Sequence, residues 1–137
     1  MKTNELLAKY PLATEVVRKF YFDKMIASVE SAKDIPEEFK QSLMNEAITD
    51  ERLIIFIDSQ PRTLFDVFDD NEIYLNISRI NNIFMWSLAE NQFLDPRIFN
   101  SRKEAELAAI AKAFELLEDK ITPIEFPNIE DEAVNND

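Results

Sequence analysis

The chain contains no glycine among its 137 residues, and this absence limits its turns more than any other feature of the sequence. Average usage would give about ten glycines in a chain of this length. Glycine adopts positive φ at no steric cost, and asparagine and aspartate are the next best residues for it. We therefore expect tight turns to use Asn or Asp. P-loops, dinucleotide-binding fingerprints, nucleophile elbows and standard EF-hand loops are excluded.

Histidine and cysteine are absent as well. Without them there is no Ser-His or Cys-His triad, no thiolate metal site and no disulfide, and the usual general base at neutral pH is missing. Only carboxylates, hydroxyls, lysines and arginines remain for chemistry. We therefore expect a non-enzymatic protein that uses no cofactor.

The segment 100–121 carries the clearest helix signal in the chain. Ser101 and Glu104 have the spacing of a capping box, in which each residue satisfies a free backbone N–H of the other. Apolar residues then recur at steps of three and four, which places them in one stripe: Leu107, Ile110, Phe114, Leu117 and Ile121. The pattern predicts a helix over 101–121. Because the stripe spans only about two heptads, we favour a core-facing surface over a coiled-coil seam.

Residues 72–90 read as a β-hairpin. Apolar and polar residues alternate on both sides of Asn81-Asn82, and β-branched and aromatic residues dominate. Asparagine suits the positive φ of a type I′ turn. A helix through the isoleucines is the alternative. We expect Trp86 to lie in the core and a short third strand near 97–99 to complete a meander.

Helical patterns precede the hairpin. We predict a helical turn and a long helix first, then two shorter helices, over 2–10, 12–33, 34–47 and 61–68. The run 53–57 is apolar throughout, and by periodicity alone it fits either a buried helix or a central strand. The cap signal at 49–51 and the stop at Pro61 favour the helix.

Together the patterns predict an α+β fold. We expect a mainly helical single globular domain over 1–124, with a small antiparallel β-hairpin or meander at about 72–90 covered by the helix 101–121. A hydrophobic content of 46% suffices for a core. Residues 125–137 form an acidic C-terminal tail. No stretch approaches the roughly 18 apolar residues of a membrane span, and the first residues lack the apolar core of a secretory signal. We expect a cytoplasmic protein.

The net charge is −12 and is unevenly distributed. Residues 34–75 hold eleven acidic and three basic residues, a net charge of −8, and residues 125–137 hold five acidic residues and no basic one. Nucleic acid and anionic membranes repel such a chain. We therefore expect a protein partner with a basic surface, and neither nucleic acid nor membrane binding.

Candidate partner-binding residues are the carboxylates at the end of this acidic segment: Asp58, Asp66, Asp69, Asp70 and Glu72. The leading hypothesis is a regulatory protein that engages its basic partner through them. Asp66 and Asp70 share a helix face, so an enzyme that binds Mg²⁺ or Mn²⁺ through carboxylates is an alternative. A helix end followed by a turn explains the same residues without a metal.

One local basic cluster interrupts the acidic pattern. Arg97, Arg102 and Lys103 lie around the start of the 101–121 helix, where they could grip an anion. Since Glu104 and Glu106 lie beside them, we interpret the cluster as a solvated face.

The sequence from Phe99 to Leu117, FNSRKEAELAAIAKAFELL, follows the predicted hairpin and resembles a segment of small uncharacterised proteins of bacteriophages and mobile elements. The resemblance covers the last third of the domain and implies no activity. It implies an accessory or structural phage protein in the host cytoplasm. A second hypothesis is therefore a structural subunit of a larger, virion-like assembly, and homo-oligomers fit this hypothesis.

Overall fold

A computed structural model of the chain describes residues 2–44, 48–89 and 93–122. The helices are α1 (Thr3–Lys9), α2 (Pro11–Ser31), α3 (Glu37–Met44), α4 (Asp50–Ser59), a 3₁₀ helix (Pro61–Leu64), α5 (Phe65–Asp70) and α6 (Arg102–Ile121). The strands are β1 (Leu75–Ile80), β2 (Ile83–Leu88) and β3 (Phe93–Leu94). The predicted α+β fold is confirmed. The predicted tail 125–137 lies outside the described residues.

Helix α6 is the central element of the fold. The Ser101 hydroxyl accepts a hydrogen bond from the Glu104 amide at 3.2 Å, as one half of the predicted capping box requires. The helix packs against α2, α5, the 3₁₀ helix and the two long strands. Its fully buried residues include small and large side chains in neighbouring rows: Ala105, Ala109, Ala113, Ile110, Phe114 and Leu117. The core-facing interpretation of the stripe is thus confirmed.

Phe114 shows how strongly α6 is held. Its ring meets Phe68 of α5 edge to face, with centroids 6.0 Å apart, and both side chains are fully buried. Truncating such a phenylalanine to alanine costs about 3–5 kcal/mol, because contacts are lost and a cavity remains.

The hairpin is present in the predicted place. β1 and β2 pair antiparallel from Leu75 opposite Leu88 to Ile80 opposite Ile83, so the alternative helix is wrong. Trp86 is buried as predicted. The two-residue turn uses Asn81 at φ 56°, and Asn82 does not share its positive φ. The turn therefore lacks the second positive φ of the predicted type I′ geometry.

The third strand differs from its prediction. β3 is formed by Phe93–Leu94, and at the predicted site near 97–99 only Phe99 pairs, through an isolated bridge to Phe84. Pro96 has no N–H to donate to a ladder. Asp95 accepts a hydrogen bond from the Arg97 amide at 2.9 Å, and the chain bulges away from β2 between its pairing at Asp95 and its pairing at Phe99. The meander is confirmed, but its third strand comes earlier in the chain.

The apolar run 53–57 is helical, as the flanking signals indicate. Thr49 caps α4 by accepting a hydrogen bond from the Arg52 amide at 3.3 Å. Leu53 and Ile57 are fully buried, whereas Ile55 is 66% exposed, so the helix has one inner face. Helix α3 begins at Glu37 rather than after Asp34.

Three hydrogen bonds fix α2 against distant parts of the chain. The helix has no side-chain cap of its own, and Glu118 of α6 accepts a hydrogen bond from the Ala13 amide at 2.8 Å. A carboxylate at a helix N-terminus satisfies a free N–H and interacts favourably with the helix dipole. Arg18 donates to Ile48 O and to the Asp50 carboxylate, which joins α2 to the start of α4.

Candidate functional site

The structure brings together four of the five predicted partner-binding residues. Asp66, Asp69 and Asp70 lie on α5, Glu72 lies in the turn after it, and all four side chains are exposed. None of the four forms an ion pair with another residue in the described part of the chain. Asp58 is placed apart from them, on α4. It accepts a hydrogen bond from Thr3 and lines a separate cleft beside α1.

The turn that carries Glu72 is a Schellman motif. The Ile73 amide donates to Phe68 O at 2.8 Å, and the Glu72 amide donates to Asp69 O at 3.0 Å. Phe68 and Ile73 are both buried, which supplies the hydrophobic contact of this motif. Glu72 occupies the position at which such motifs usually hold glycine, and its φ is 61°.

A glutamate at this position has an energetic cost. The left-handed conformation costs a residue with a Cβ roughly 1–2 kcal/mol, because the Cβ approaches a carbonyl oxygen. The hydrogen bonds and the buried contact on either side hold the turn in place. They leave the Glu72 side chain exposed, beside the other carboxylates.

A cleft of about 500 Å³ opens directly beside this turn, between the ends of the hairpin and the last turns of α6. We name it the acidic cleft. It is lined by Glu72, Ile73, Tyr74, Leu88, Ala89, Leu116, Asp119 and Lys120. Lys120 donates to Asn71 O at 2.5 Å, so the cation is engaged by the backbone. The cleft thus combines apolar residues with two exposed carboxylates on its rim.

A second cleft of about 500 Å³ lies elsewhere along α6, and we name it the basic cleft. It is lined by Lys9, Tyr10, Trp86, Phe93, Asp95, Pro96, Arg97, Ala108, Ala111, Lys112 and Glu115. The Trp86 and Phe93 rings lie 5.3 Å apart, and the Lys112 ammonium lies 5.4 Å from the Phe93 ring centre. Three cations therefore line the same cleft as this aromatic pair.

Asp95 organises the basic cleft. Its carboxylate is buried and accepts hydrogen bonds from the Trp86 indole at 2.7 Å and from the Arg97 guanidinium at 2.7 Å. The hydrogen bonds from Arg97 hold the pKa of Asp95 below its usual range. The pKa of Arg97 is raised in turn by its hydrogen bonds to Asp95. Arg97 is thereby fixed at the rim with its side chain 65% exposed.

The interpretation of the local basic cluster as a solvated face is partly wrong. Glu106 is buried and pairs with Arg62 at 3.3 Å, and Arg102 packs 5.5 Å from the Phe84 ring centre. Lys103 is exposed, as predicted. The sequence pattern around Asp95 does not mark it as functional, because Asp-Pro is an ordinary turn signal. The one hint was the only tryptophan, whose indole N–H needs an acceptor when it is buried.

No family model, curated protein or solved structure matches this chain. Among the described residues, no helix is long and apolar enough to span a membrane, and no group of three or more acidic residues could hold a metal ion. Function must therefore be inferred from the side chains themselves.

Proposed function

We propose that the protein is a non-enzymatic regulatory protein that binds a partner with a basic surface. The binding surface consists of Asp66, Asp69, Asp70 and Glu72, together with the adjoining acidic cleft. The observation that carries the proposal is that these four carboxylates are exposed and have no cationic partner in the described part of the chain.

The chemistry of this surface suits a lysine- or arginine-bearing segment. Carboxylates accept charge-assisted hydrogen bonds from these side chains, and arginine can bind in a bidentate manner. Beside Glu72, the acidic cleft offers an apolar floor formed by Ile73, Leu88 and Leu116. A partner that fills this floor with an apolar side chain gains affinity from burial, while the carboxylates accelerate association and fix orientation.

The free-energy cost of the left-handed backbone at Glu72 is a second argument for this binding surface. Aspartate or asparagine tolerates positive φ better than glutamate does. A chain that holds glutamate there gains a longer carboxylate at the rim of the acidic cleft. We propose that this carboxylate contacts the partner.

Affinity capture from the native host tests the proposal. The unmodified chain should retain a basic partner, and the variant Asp66→Asn, Asp69→Asn, Asp70→Asn should lose most of it. A matched control neutralises three other exposed carboxylates, Asp34→Asn, Glu37→Gln and Glu38→Gln. The control should retain the partner. Equal retention by both variants would refute the acidic surface, whatever the partner is.

A structural subunit of a larger, phage-encoded assembly is the second candidate. It is favoured by β1, which is an edge strand of the sheet and ends at the exposed Ile80. The exposed Tyr74 directly precedes this strand. Edge strands pair readily with other chains. Light scattering at high concentration should then show a defined oligomer that Ile80→Lys disrupts. A strict monomer would count against self-assembly.

A further inference from the structure

In the basic cleft the local charge is opposite to that of the whole chain. Both of its carboxylates are held within the chain, Asp95 by Arg97 at 2.7 Å and Glu115 by Lys112 at 3.2 Å. Lys9 forms no ion pair with another described residue. The lining therefore carries an excess cation, whereas the whole chain has a net charge of −12.

The lining of the basic cleft also includes apolar surface that is open to solvent. Phe93 is 37% exposed, and Tyr10, Ala108 and Ala111 of the same lining are half-buried. Apolar side chains left accessible within one cleft are typical of a binding site. A segment that binds both the apolar and the cationic parts of this cleft must contain apolar side chains and negative charge.

We propose that the basic cleft binds residues 124–132 of this same chain. Their sequence, IEFPNIEDE, contains the apolar Ile124, Phe126 and Ile129 and four carboxylates, with no basic residue. The apolar side chains pack on Phe93 and the other apolar residues of the lining, and the carboxylates face the cations of the rim. The proposal is independent of the acidic surface and its partner.

The tether length permits this contact. Thr122, the last described residue, lies ten positions after Lys112. At a rise of about 1.5 Å per residue, the two residues are about 15 Å apart along α6. An extended chain covers about 3.3 Å per residue, so about five residues return to the level of Lys112. Thr122 itself has ψ 121° and precedes Pro123, a combination that favours an extended chain.

Engineered cysteines test the placement directly, since the chain has none of its own. One variant pairs Ala108→Cys in the basic cleft with Asn128→Cys. The matched control pairs Ala89→Cys in the acidic cleft with the same Asn128→Cys. Under a glutathione redox buffer, the first pair should form an intramolecular disulfide at least about tenfold faster than the control, because a tether to the right site raises effective concentration.

Charge reversal then tests the chemistry in the same full-length background. Lys9→Glu with Lys112→Glu should slow formation of the 108–128 disulfide by about tenfold, because like charges now face each other. The control reverses Lys24 and Lys33, which are exposed elsewhere, and should change the rate by less than about twofold. The proposal is overturned by equal rates in the two cysteine pairs, by equal effects of the two charge reversals, or by disulfides that join two chains instead of one.

Discussion

The acidic cleft and the basic cleft both lie along α6, but their carboxylates differ in exposure and in ion pairing. Glu72 and Asp119 are exposed and form no ion pair with another described residue, so their charge faces solvent. Asp95 is buried and its charge is neutralised by Arg97. The sign of each cleft is decided by which charged residues the fold gathers around it, two carboxylates and one lysine in the acidic cleft and three cations and two carboxylates in the basic cleft. Counting acidic residues along the sequence does not reveal this grouping.

The largest expected difference between the clefts is in stability. Asp95→Ala leaves the buried Trp86 indole without its acceptor and releases Arg97, and we expect a loss of about 2–3 kcal/mol of unfolding free energy. Asp119→Ala in the acidic cleft should change it by less than about 0.5 kcal/mol. Urea unfolding measures both values. Similar losses in the two variants would mean that Asp95 is not held as described.

The pH dependence of stability should also reveal how Asp95 is held in the basic cleft. The folded pKa of Asp95 is lowered by Arg97, so its contribution is complete above the unfolded pKa of about 3.9 and is lost as pH falls through the folded pKa. The stability gap between the unmodified chain and Asp95→Asn should therefore shrink as pH falls below about 4. Urea unfolding at pH 7 and pH 3 measures the gap, and a gap that stays constant or widens contradicts the assignment.

A smaller effect is expected at the turn beside the acidic cleft. Glu72→Gly should raise the unfolding free energy by about 0.5–1 kcal/mol, because it relieves the left-handed backbone but adds freedom to the unfolded chain. Asn81→Gly in the hairpin turn is the matched control. Its gain should be smaller, since asparagine already tolerates positive φ. If glycine at residue 72 destabilises the protein, Glu72 is stabilised by contacts beyond this backbone turn.

The smallest effect concerns metal ions. Asp66 and Asp70 lie four residues apart on α5, but no third ligand joins them among the described residues. Since two carboxylates alone hold such an ion weakly, we expect Mg²⁺, Mn²⁺ and Ca²⁺ to leave the melting temperature unchanged. An ion that binds only the folded state would raise the melting temperature. A rise with one of these ions in the unmodified chain, absent in Asp66→Asn, would revive the carboxylate-metal enzyme.

The elements predicted correctly are those whose signals are local. The Ser101 cap, the Thr49 cap and the Asn-Asn pair each determine structure through backbone hydrogen bonds or φ within a few residues. The run 53–57 was ambiguous by period and was resolved by its flanking signals. These features were sufficient to predict the α+β order and the central place of α6.

The clefts depend on contacts that no local pattern contains. Asp95 is buried because it accepts from Trp86 on the neighbouring strand, and its sequence neighbourhood alone predicts an exposed turn. Glu72 takes the left-handed position, although Asn71 tolerates it better, because the Schellman hydrogen bonds place it one residue after the helix cap. The grouping of four predicted carboxylates and the separation of Asp58 follow from how α4 and α5 pack.

The hydrogen bond from the Ala13 amide to Glu118 joins two residues that are 105 positions apart in the sequence. The start of α2 cannot keep this cap if the last turns of α6 unwind. Both ends therefore belong to one cooperative unit, whose amide protons should exchange with solvent at similar rates. A ribosome must synthesise Glu118 before the first long helix of the chain is fully capped, so the start of α2 gains this hydrogen bond only after most of the described chain has been made.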